Sequence, residues 1–232
     1  MDKTILVLSG GLDSTTLLYK LKDEGRDIKT LSFFYGQKHS KELECAKKIC
    51  QKLNVENRQI DLSSISKLID SSSLTSNMDI PEGHYKDENM KNTVVPNRNM
   101  IMASIAIGYA VNEGFDTVAL GVHSGDHAIY PDCRPEFIQE LKDIARIANY
   151  KSIDIYTPYL YKDKAEIIAE GIKLNVDYSL TWTCYKGLDK ACGKCGSCVE
   201  RVLAFSKNNY KDPVFYDKSW EETLKQVETI SL

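Results

Sequence analysis

The chain has 232 residues, 27% of them charged, and a formal net charge of −3. This length suffices for one α/β domain with a substantial core and an appendage. The nearly balanced charge argues against binding dominated by nonspecific nucleic-acid contacts. No apolar run approaches the roughly 18 residues of a membrane span, and no signal peptide precedes the first predicted strand. We therefore expect a cytoplasmic protein without a nucleic-acid or membrane partner.

The first predicted strand, residues 4–8, is apolar and β-branched and is typical of a buried parallel strand. Ser9-Gly10-Gly11-Leu12-Asp13-Ser14 follows, in which the glycines allow a tight turn, and Ser14 or Thr15 is predicted to cap the next helix. A strand, a glycine turn and a helix N-terminus together aim backbone N–H groups at an anion. A carboxylate repels phosphates unless a cation separates them, so Asp13 predicts a magnesium-bridged polyphosphate. A turn without a ligand is the alternative.

Two more predicted strands follow, at residues 28–35 and 57–62, with a helix between them. His39, just past the second strand, either contacts a substrate or completes a turn. Residues 63–92 form a long polar stretch, which we interpret as a lid or as a plain excursion, because loops of this length are usually functional or mobile.

Val95-Pro96-Asn97-Arg98-Asn99 precedes a predicted helix that runs to about residue 112, with Asn99 as its cap. Arg98 contacts an anion or nucleotide, or else lies on the surface; the stiff turn beside a phosphate loop favours the first interpretation. Residues 116–122 predict the fourth strand. The polar stretch after it carries Asp132, which could accept from a guanine-like edge, and Arg134, which could hold a carboxylate through paired hydrogen bonds.

A helix over 135–150, a strand over 153–158 and a further helix opened by residues 162–166 complete the pattern. Alternating strands and helices predict a doubly wound, mainly parallel, five-stranded sheet of Rossmann-like type. Lys164 in a first helical turn opposes the usual charge preference there, which a bound phosphate or simple solvation would explain. His123 and His127 make a weaker candidate metal pair, because both lie on a loop.

Four cysteines crowd near the C-terminus and can surround one tetrahedral ion: Cys184, Cys192, Cys195 and Cys198. A closed set of four thiolates indicates a structural zinc site, with an iron–sulfur cluster, a redox dithiol or free thiols as alternatives. Arg201 is a weaker candidate for ligand contact. The tail, with apolar residues from Trp220 to Ile230, packs on the body or on a second subunit in a homodimer. We expect a polyphosphate-binding α/β domain over 1–180 and a zinc-binding segment over 181–232.

The Ser-Gly-Gly-x-Asp-Ser string lacks the Lys of a Walker P-loop and the third glycine of the dinucleotide fingerprint. It resembles the pyrophosphate-binding loop of the N-type ATP pyrophosphatases (PP-loop proteins). Tyr-Gly-Gln-Lys-His at 35–39, Val-Pro-Asn-Arg-Asn at 95–99, Tyr-Pro-Asp-Cys-Arg-Pro-Glu-Phe at 130–137 and the cysteine cluster narrow the likeness. Together they resemble the 7-cyano-7-deazaguanine (preQ0) synthase family of queuosine biosynthesis. Asn97 and Ile129 stand where that family often has glycine.

The resemblance implies an adenine nucleotide alpha hydrolase-like fold and an ATP-dependent conversion of 7-carboxy-7-deazaguanine and ammonia to the nitrile. It implies catalytic roles for Asp13, Lys164 and Arg98, and zinc ligation by the four cysteines. It implies substrate contacts by Tyr130, Asp132, Arg134, Arg98 and Asn99. The residues that it implies for ATP are Leu8, Ser9, Gly10, Gly11, Leu12, Asp13, Ser14, Thr15, Thr16, Leu17 and Leu18.

Two other functions remain open from the sequence. A PP-loop enzyme that thiolates tRNA predicts a basic face and a reactive, metal-free thiol pair, which the balanced charge and the tight cysteine spacing disfavour. A noncatalytic nucleotide- or zinc-binding module has little use for a carboxylate at Asp13. The length leaves no room for a glutaminase domain, so we expect free ammonia as the nitrogen donor.

Overall fold

The computed structural model describes residues 2–38, 41–83, 88–186 and 189–230, so His39 lies outside the described residues. Within them, five strands form one sheet: β1 (Lys3–Val7), β2 (Asp27–Phe34), β3 (Glu56–Asp61), β4 (Thr117–Ala119) and β5 (Asp154–Tyr156). The described α-helices are α1 (Leu12–Asp23), α2 (Lys41–Leu53), α3 (Ser63–Ser66), α4 (Arg98–Glu113), α5 (Pro135–Ile147), α6 (Lys164–Lys173), α7 (Gly196–Lys207) and α8 (Trp220–Ile230). None of them is long and apolar enough to cross a bilayer.

The sheet has the order β3-β2-β1-β4-β5, and each neighbouring pair is parallel. The predicted doubly wound, five-stranded parallel sheet is therefore confirmed. The chain builds outward from β1 to β3, then returns to the other side of β1 for β4. This reversal opens a crevice at the carboxyl ends of the strands, where ligands bind in such sheets.

Both faces of the sheet are covered because successive side chains of a strand point to opposite sides. Ile5 joins the core cluster that includes residues of α4 and α5, whereas Leu6 joins the cluster that includes residues of α1, α2 and α6. In the strands next to β1, residues 30–33 of β2 and all of β4 are buried, as in a parallel sheet covered on both faces.

Two helix starts differ from the prediction. The N-cap of α1 is Gly11 without a side-chain hydrogen bond, so the predicted capping by Ser14 or Thr15 is wrong; both lie inside the first turn. The N-cap of α4 is Asn97, so Asn99 lies inside that helix rather than at its cap. Asn97 has φ of +56°, a left-handed conformation that asparagine tolerates better than most residues. This backbone also explains why glycine would suit the position.

The tail packs on the body of the same chain. Val227 is fully buried, and Trp220, Leu224 and Ile230 pack against the same cluster as the cysteines and α7. Of the two interpretations of the tail, the structure therefore shows the first.

Arg201 forms a buried ion pair with Asp212 rather than reaching a ligand cavity. Its Nε and Nη2 atoms donate to the two carboxylate oxygens of Asp212 at 2.6 and 2.9 Å, and Nη1 donates to Thr181 Oγ1 at 2.9 Å. Tyr216 donates its hydroxyl to the same carboxylate at 2.6 Å. The two charged side chains are at most 2% exposed, so each depends on the other for compensation. This network ties α7 to the segment that leads into α8.

We expect Arg201→Met to lower the free energy of unfolding by about 3–5 kcal/mol, because it leaves the Asp212 carboxylate buried without a counter-charge. Arg201→Met combined with Asp212→Leu should recover part of this loss. Lys211→Met, which removes an exposed partner 3.8 Å from Glu221, should change stability by less than about 1 kcal/mol. Urea unfolding of the three variants tests this. An Arg201→Met protein as stable as Lys211→Met would contradict it.

Candidate functional site

An open cleft of about 1330 Å³, mouth included, lies at the carboxyl ends of β1, β2 and β4. Five helices begin at its wall, namely α1, α2, α4, α6 and α7. The residues of their first turns that line the cleft are Asp13, Ser14, Glu42, Leu43, Arg98, Asn99, Lys164 and Ser197. A helix N-terminus carries roughly half a positive charge and unpaired N–H groups. Five of them around one cleft make it suited to a polyanion.

The turn between β1 and α1 is held by its own hydroxyl groups. Gly11 N–H donates to Ser9 Oγ at 3.1 Å, and Ser9 N–H donates to Ser14 Oγ at 3.2 Å. Of the string predicted to hold ATP, the residues that line the cleft are Leu8, Ser9, Gly11, Asp13 and Ser14. The remaining residues of the string do not line the cleft. Leu12 and the four residues from Thr15 to Leu18 are completely buried.

Gly10 is required by both its backbone and its surroundings. Its φ is +87°, and a Cβ atom there would lie 2.0 Å from the backbone oxygen of Glu42. This close approach sets the first turn of α2 against the loop. Ala46 N, one turn further along α2, would lie 2.8 Å from the same Cβ.

Gly10→Ala is expected to push the loop away from α2, lowering the melting temperature and weakening ATP binding by at least about tenfold. Gly25→Ala is a matched control, since Gly25 has φ of +71° but no atom within 4 Å of its built Cβ. Gly25→Ala should show the backbone strain alone, about 1–2 kcal/mol, and bind ATP normally. Calorimetric titration with ATP and thermal unfolding measure both effects. Equal ATP affinity in the two variants would contradict the close-contact argument.

Asp13 is the centre of a buried charge network in the cleft. Lys164 Nζ lies 3.1 Å from Asp13 Oδ2 and 2.9 Å from Glu200 Oε2. His123 Nε2 lies 3.7 Å from Asp13 Oδ2 and 3.5 Å from Asp126 Oδ2. Burial by itself would raise the pKa of Asp13, but the positive charge of Lys164, with a smaller contribution from His123, outweighs it and holds that pKa below its usual value. Asp13 is thus kept ionised.

The position of Lys164 rules out simple solvation as its explanation, since its side chain is only 6% exposed. Burial would lower the pKa of Lys164, but Asp13, Glu200 and Asp126 raise it overall and keep the amine charged. The second oxygen of Asp13, Oδ1, is buried and has no hydrogen bond within the described part of the chain. Such an oxygen fits a bound cation.

His123 is fixed in one tautomer by its neighbour. Gly125 N–H donates to His123 Nδ1 at 3.1 Å, so the ring proton of the neutral form lies on Nε2, which faces the two carboxylates. The hypothesis of a metal pair with His127 gains no support from this arrangement. The sequence did not identify His123 as a partner of Asp13, because their contact joins the end of β4 to the start of α1.

The opposite wall presents an arginine between two aromatic rings. The Arg98 guanidinium carbon lies 5.7 Å from the ring centres of both Tyr35 and Tyr130. Tyr130 Oη is 2.8 Å from Thr93 Oγ1 and 3.2 Å from Tyr185 Oη. This wall can contact a planar ring and an anionic group together. Arg98, Asn99 and Tyr130, three of the predicted substrate residues, line the cleft.

The other two predicted substrate residues hold a turn next to the cleft. Asp132 Oδ2 accepts from the backbone N–H of Asn99 at 2.8 Å, and Arg134 Nε donates to the backbone oxygen of His127 at 2.9 Å. Neither side chain is among those lining the cleft. Asp132 holds the start of α4, and hence Arg98, whereas Arg134 holds the loop after β4. Direct contact of either side chain with substrate stays a prediction.

The four cysteines are buried, and their Sγ atoms all lie within 4.8 Å of one another. Backbone N–H groups point at the sulfurs: Cys192 donates to Cys184 Sγ and Cys195 to Cys192 Sγ, each at 3.4 Å. The cluster is compatible with a structural metal ion, because its four sulfurs by themselves supply a complete tetrahedral set of ligands. Three residues adjacent to the cysteines in the chain also line the cleft, namely Thr183, Tyr185 and Ser197. Sequence reasoning missed this shared wall.

The polar stretch over 63–92 is partly described and packs on the body. Ser72 and Ser73 are fully buried, and Leu74 lines the cleft and accepts from Lys38 N–H at 3.1 Å. Gly83 N–H donates to the backbone oxygen of Lys194 at 3.0 Å. This segment therefore runs from the cleft to the cysteine cluster.

Glu42 is a cleft carboxylate that the sequence analysis did not single out. It is half-buried and makes no hydrogen bond or ion pair to any described residue. Its pKa is raised to about 7, chiefly by burial and to a smaller extent by Cys184, although Arg98 and Lys164 lower it. Its place in the first turn of the helix after β2 is the signal that could have identified it, since that turn faces the ligand edge of the sheet.

Comparison with known proteins gives consistent results. The family model described as queuosine biosynthesis protein QueC matches residues 3–209. The 7-cyano-7-deazaguanine synthase 1 of Colwellia psychrerythraea is 56% identical over 216 residues, which cover 93% of this chain and 99% of that protein. The 7-cyano-7-deazaguanine synthase of Hahella chejuensis is 53% identical over 216 residues, covering 93% and 94%.

Solved structures share the fold at low identity. A 4-thiouridine synthetase in complex with RNA and ATP has a TM-score of 0.52 and 16% identity, over 99% of this chain and 52% of that chain. A likeness at this level concerns the fold alone.

Proposed function

The chain belongs to the QueC family of queuosine biosynthesis proteins, and from that premise we propose that it is an ATP-dependent 7-cyano-7-deazaguanine synthase. It converts 7-carboxy-7-deazaguanine and ammonia to the nitrile. The observation that supports this function best is the cleft itself, where five helix N-termini and Lys164 surround a Ser-Gly-Gly-x-Asp-Ser turn. Such a cleft stabilises negative charge on a polyphosphate and on the pyrophosphate that leaves it.

The reaction needs two activations because two oxygens must leave, one from the carboxylate and one from the amide, and neither is a good leaving group by itself. Attack of the substrate carboxylate on ATP forms an acyl adenylate and releases pyrophosphate. Ammonia then displaces AMP and gives the amide. Activation of the amide oxygen by a second ATP allows loss of the two remaining N–H protons and of the oxygen, which leaves the nitrile.

The proposed division of the cleft follows its two walls. Ser9, Gly11 and Ser14 bind the phosphates of ATP, and Lys164 neutralises charge on the phosphate that carries the acyl group. Arg98 holds the substrate carboxylate, and Tyr130 and Asn99 contact the ring. We also propose Asp132 and Arg134 as substrate residues. Asp132 holds Asn99 at the start of α4, and Arg134 holds the loop that contains Tyr130, so both position this wall.

Asp13 is the proposed magnesium ligand. Its Oδ1 is buried without a hydrogen bond among the described residues, and its charge is maintained by Lys164. Magnesium bound there would offset charge on the pyrophosphate. The chain itself keeps Asp13 ionised and oriented, and it excludes bulk water from the network.

We propose zinc for the cysteine cluster, in a structural role, because four thiolates leave no position open for a reacting water. The segment 181–232 would then act as a zinc-binding unit attached to the ATP-binding unit 1–180. It also completes the cleft, since Thr183, Tyr185 and Ser197 belong to it.

The remaining expectations follow from the proposed reaction. The partners are a small molecule and free ammonia, with the cytoplasm as the predicted location and a homodimer as the predicted assembly. Family membership disfavours both tRNA thiolation and a noncatalytic module.

The direct test is mass spectrometry of the products formed from ATP, magnesium, ammonium and 7-carboxy-7-deazaguanine. We expect a mass that corresponds to the nitrile, with the amide appearing earlier. Formation of the amide alone would contradict the dehydration step. Absence of any product from a protein that binds ATP would overturn the assignment.

A further inference from the structure

Most charged groups in the cleft already have a partner, but Glu42 does not. Asp13 is paired with Lys164, and Asp126 faces His123. Glu42 lines the same cleft and has no ion pair or hydrogen bond in the described part of the chain. A half-buried carboxylate without a partner has lost part of its hydration without a compensating contact, so it is suited to a ligand that donates hydrogen bonds or carries positive charge.

The location of Glu42 limits what that ligand is. Arg98 and Lys164 line the same cleft as Glu42, and their positive charges lower the pKa of its carboxyl group against the effect of burial. In the proposed function, Arg98 lies at the acyl end of the acyl adenylate and Lys164 at the phosphate end. Glu42 shares the cleft with both, so we assign it to the bond between the two ends, where a nucleophile must approach the acyl carbon. ATP and the substrate carboxylate are anions, and Glu42 repels both.

The backbone fixes Glu42 in this place. The tight approach of Gly10 to the backbone oxygen of Glu42 joins the first turn of α2 to the phosphate loop. Leu43, the next residue, accepts a hydrogen bond from Gln59 on β3 at 3.5 Å and is buried. The side chain thus extends from a rigid helix start rather than from a loop.

We propose that Glu42 binds ammonium in the cleft and accepts its proton, an inference that rests on the proposed synthase function. Ammonium is the one cosubstrate that is a cation with hydrogen-bond donors in every direction, so it satisfies the unpaired carboxylate. Transfer of one proton to Glu42 frees the nitrogen lone pair. That pair forms the C–N bond to the acyl carbon, while the bond from this carbon to the adenylate oxygen breaks and its electron pair leaves with AMP. The nitrogen then loses a second proton to solvent and is left as the amide.

The test separates acyl adenylate formation from its reaction with ammonia. Exchange of labelled pyrophosphate into ATP, with 7-carboxy-7-deazaguanine present and ammonium absent, reports the first step alone. Glu42→Gln should leave this exchange within about threefold of wild type. In the complete reaction it should raise the KM for ammonium at least about tenfold and lower kcat by about 100-fold. Glu42→Asp should recover part of the loss.

Glu44→Gln is the matched control, because Glu44 lies on the same helix turn but is exposed to solvent. It should behave as wild type in both assays. Glu42→Gln with an unchanged KM for ammonium overturns the inference, and so does a selective rise in the KM for 7-carboxy-7-deazaguanine. Both results leave the synthase function intact, provided that wild-type protein makes the nitrile. Failure of the wild type to make it is the separate outcome that refutes the function.

Discussion

Asp13→Asn is expected to lower kcat by at least about 100-fold. Asparagine keeps the shape of the side chain but removes its charge. Lys164 then keeps Glu200 as its close partner, and the buried Oδ1 position no longer offers an anionic ligand to magnesium. Substrate-dependent release of pyrophosphate, measured across a magnesium titration, reports the loss. The magnesium concentration needed for half-maximal rate should rise together with it.

The control for this prediction is Asp23→Asn, an exposed substitution at the other end of α1. It should leave turnover and magnesium dependence unchanged. Thermal unfolding of Asp13→Asn distinguishes lost chemistry from lost structure. Retention of more than about half of the wild-type rate by Asp13→Asn, with the same magnesium dependence, would remove Asp13 from the catalytic group.

Cys195→Ser is expected to have the largest effect on metal content. It removes one of four sulfurs that lie within 4.8 Å of one another, and we expect metal affinity to fall by at least about 100-fold. ATP binding should weaken as well, because Thr183, Tyr185 and Ser197 are held by the same cluster and line the cleft. Elemental mass spectrometry after dialysis measures the metal, and calorimetric titration measures ATP affinity.

Cys45→Ser is the matched control, since Cys45 is half-buried on α2 and does not belong to the cluster. It should keep one metal ion per chain. Full zinc occupancy in Cys195→Ser would contradict the assignment of four thiolate ligands. Iron with inorganic sulfide in the wild type would favour the iron–sulfur alternative instead.

The sequence was most informative where a local pattern determines local structure. The apolar strand, the two glycines and the following helix predicted the phosphate loop, because each feature is decided within a few residues. The parallel sheet followed from the alternation of strands and helices. The ends of elements were harder. Asparagine is a common N-cap, so both Asn97 and Asn99 are candidates for the start of α4. The backbone of Asn97 is left-handed and therefore not helical, which places the start of the helix directly after it.

The partners of the cleft residues could not be read in the same way. Lys164 and Asp13 are separated by 151 positions, and their contact exists only once α6 has packed beside α1. Tyr185 and Ser197 adjoin cysteines whose spacing predicts a metal site, and nothing in the local pattern indicates that these two residues line the cleft. Arg201 is an ion-pair partner rather than a ligand contact, since Asp212 reaches it through a loop that no sequence pattern indicates.

The order in which the cleft is assembled has a consequence for how the protein is made. Its wall draws on residues from Val7 to Ser197, so almost the entire chain must be present before the cleft is closed. Synthesis proceeds from the N-terminus, and a ribosome-bound chain that has completed the sheet still lacks the start of α7. A chain truncated before Ser197 lacks part of the cleft wall, so we expect ATP to stabilise it less than a chain that extends past Ser197. Nucleotide binding should therefore favour chains that contain the whole cleft wall over shorter ones.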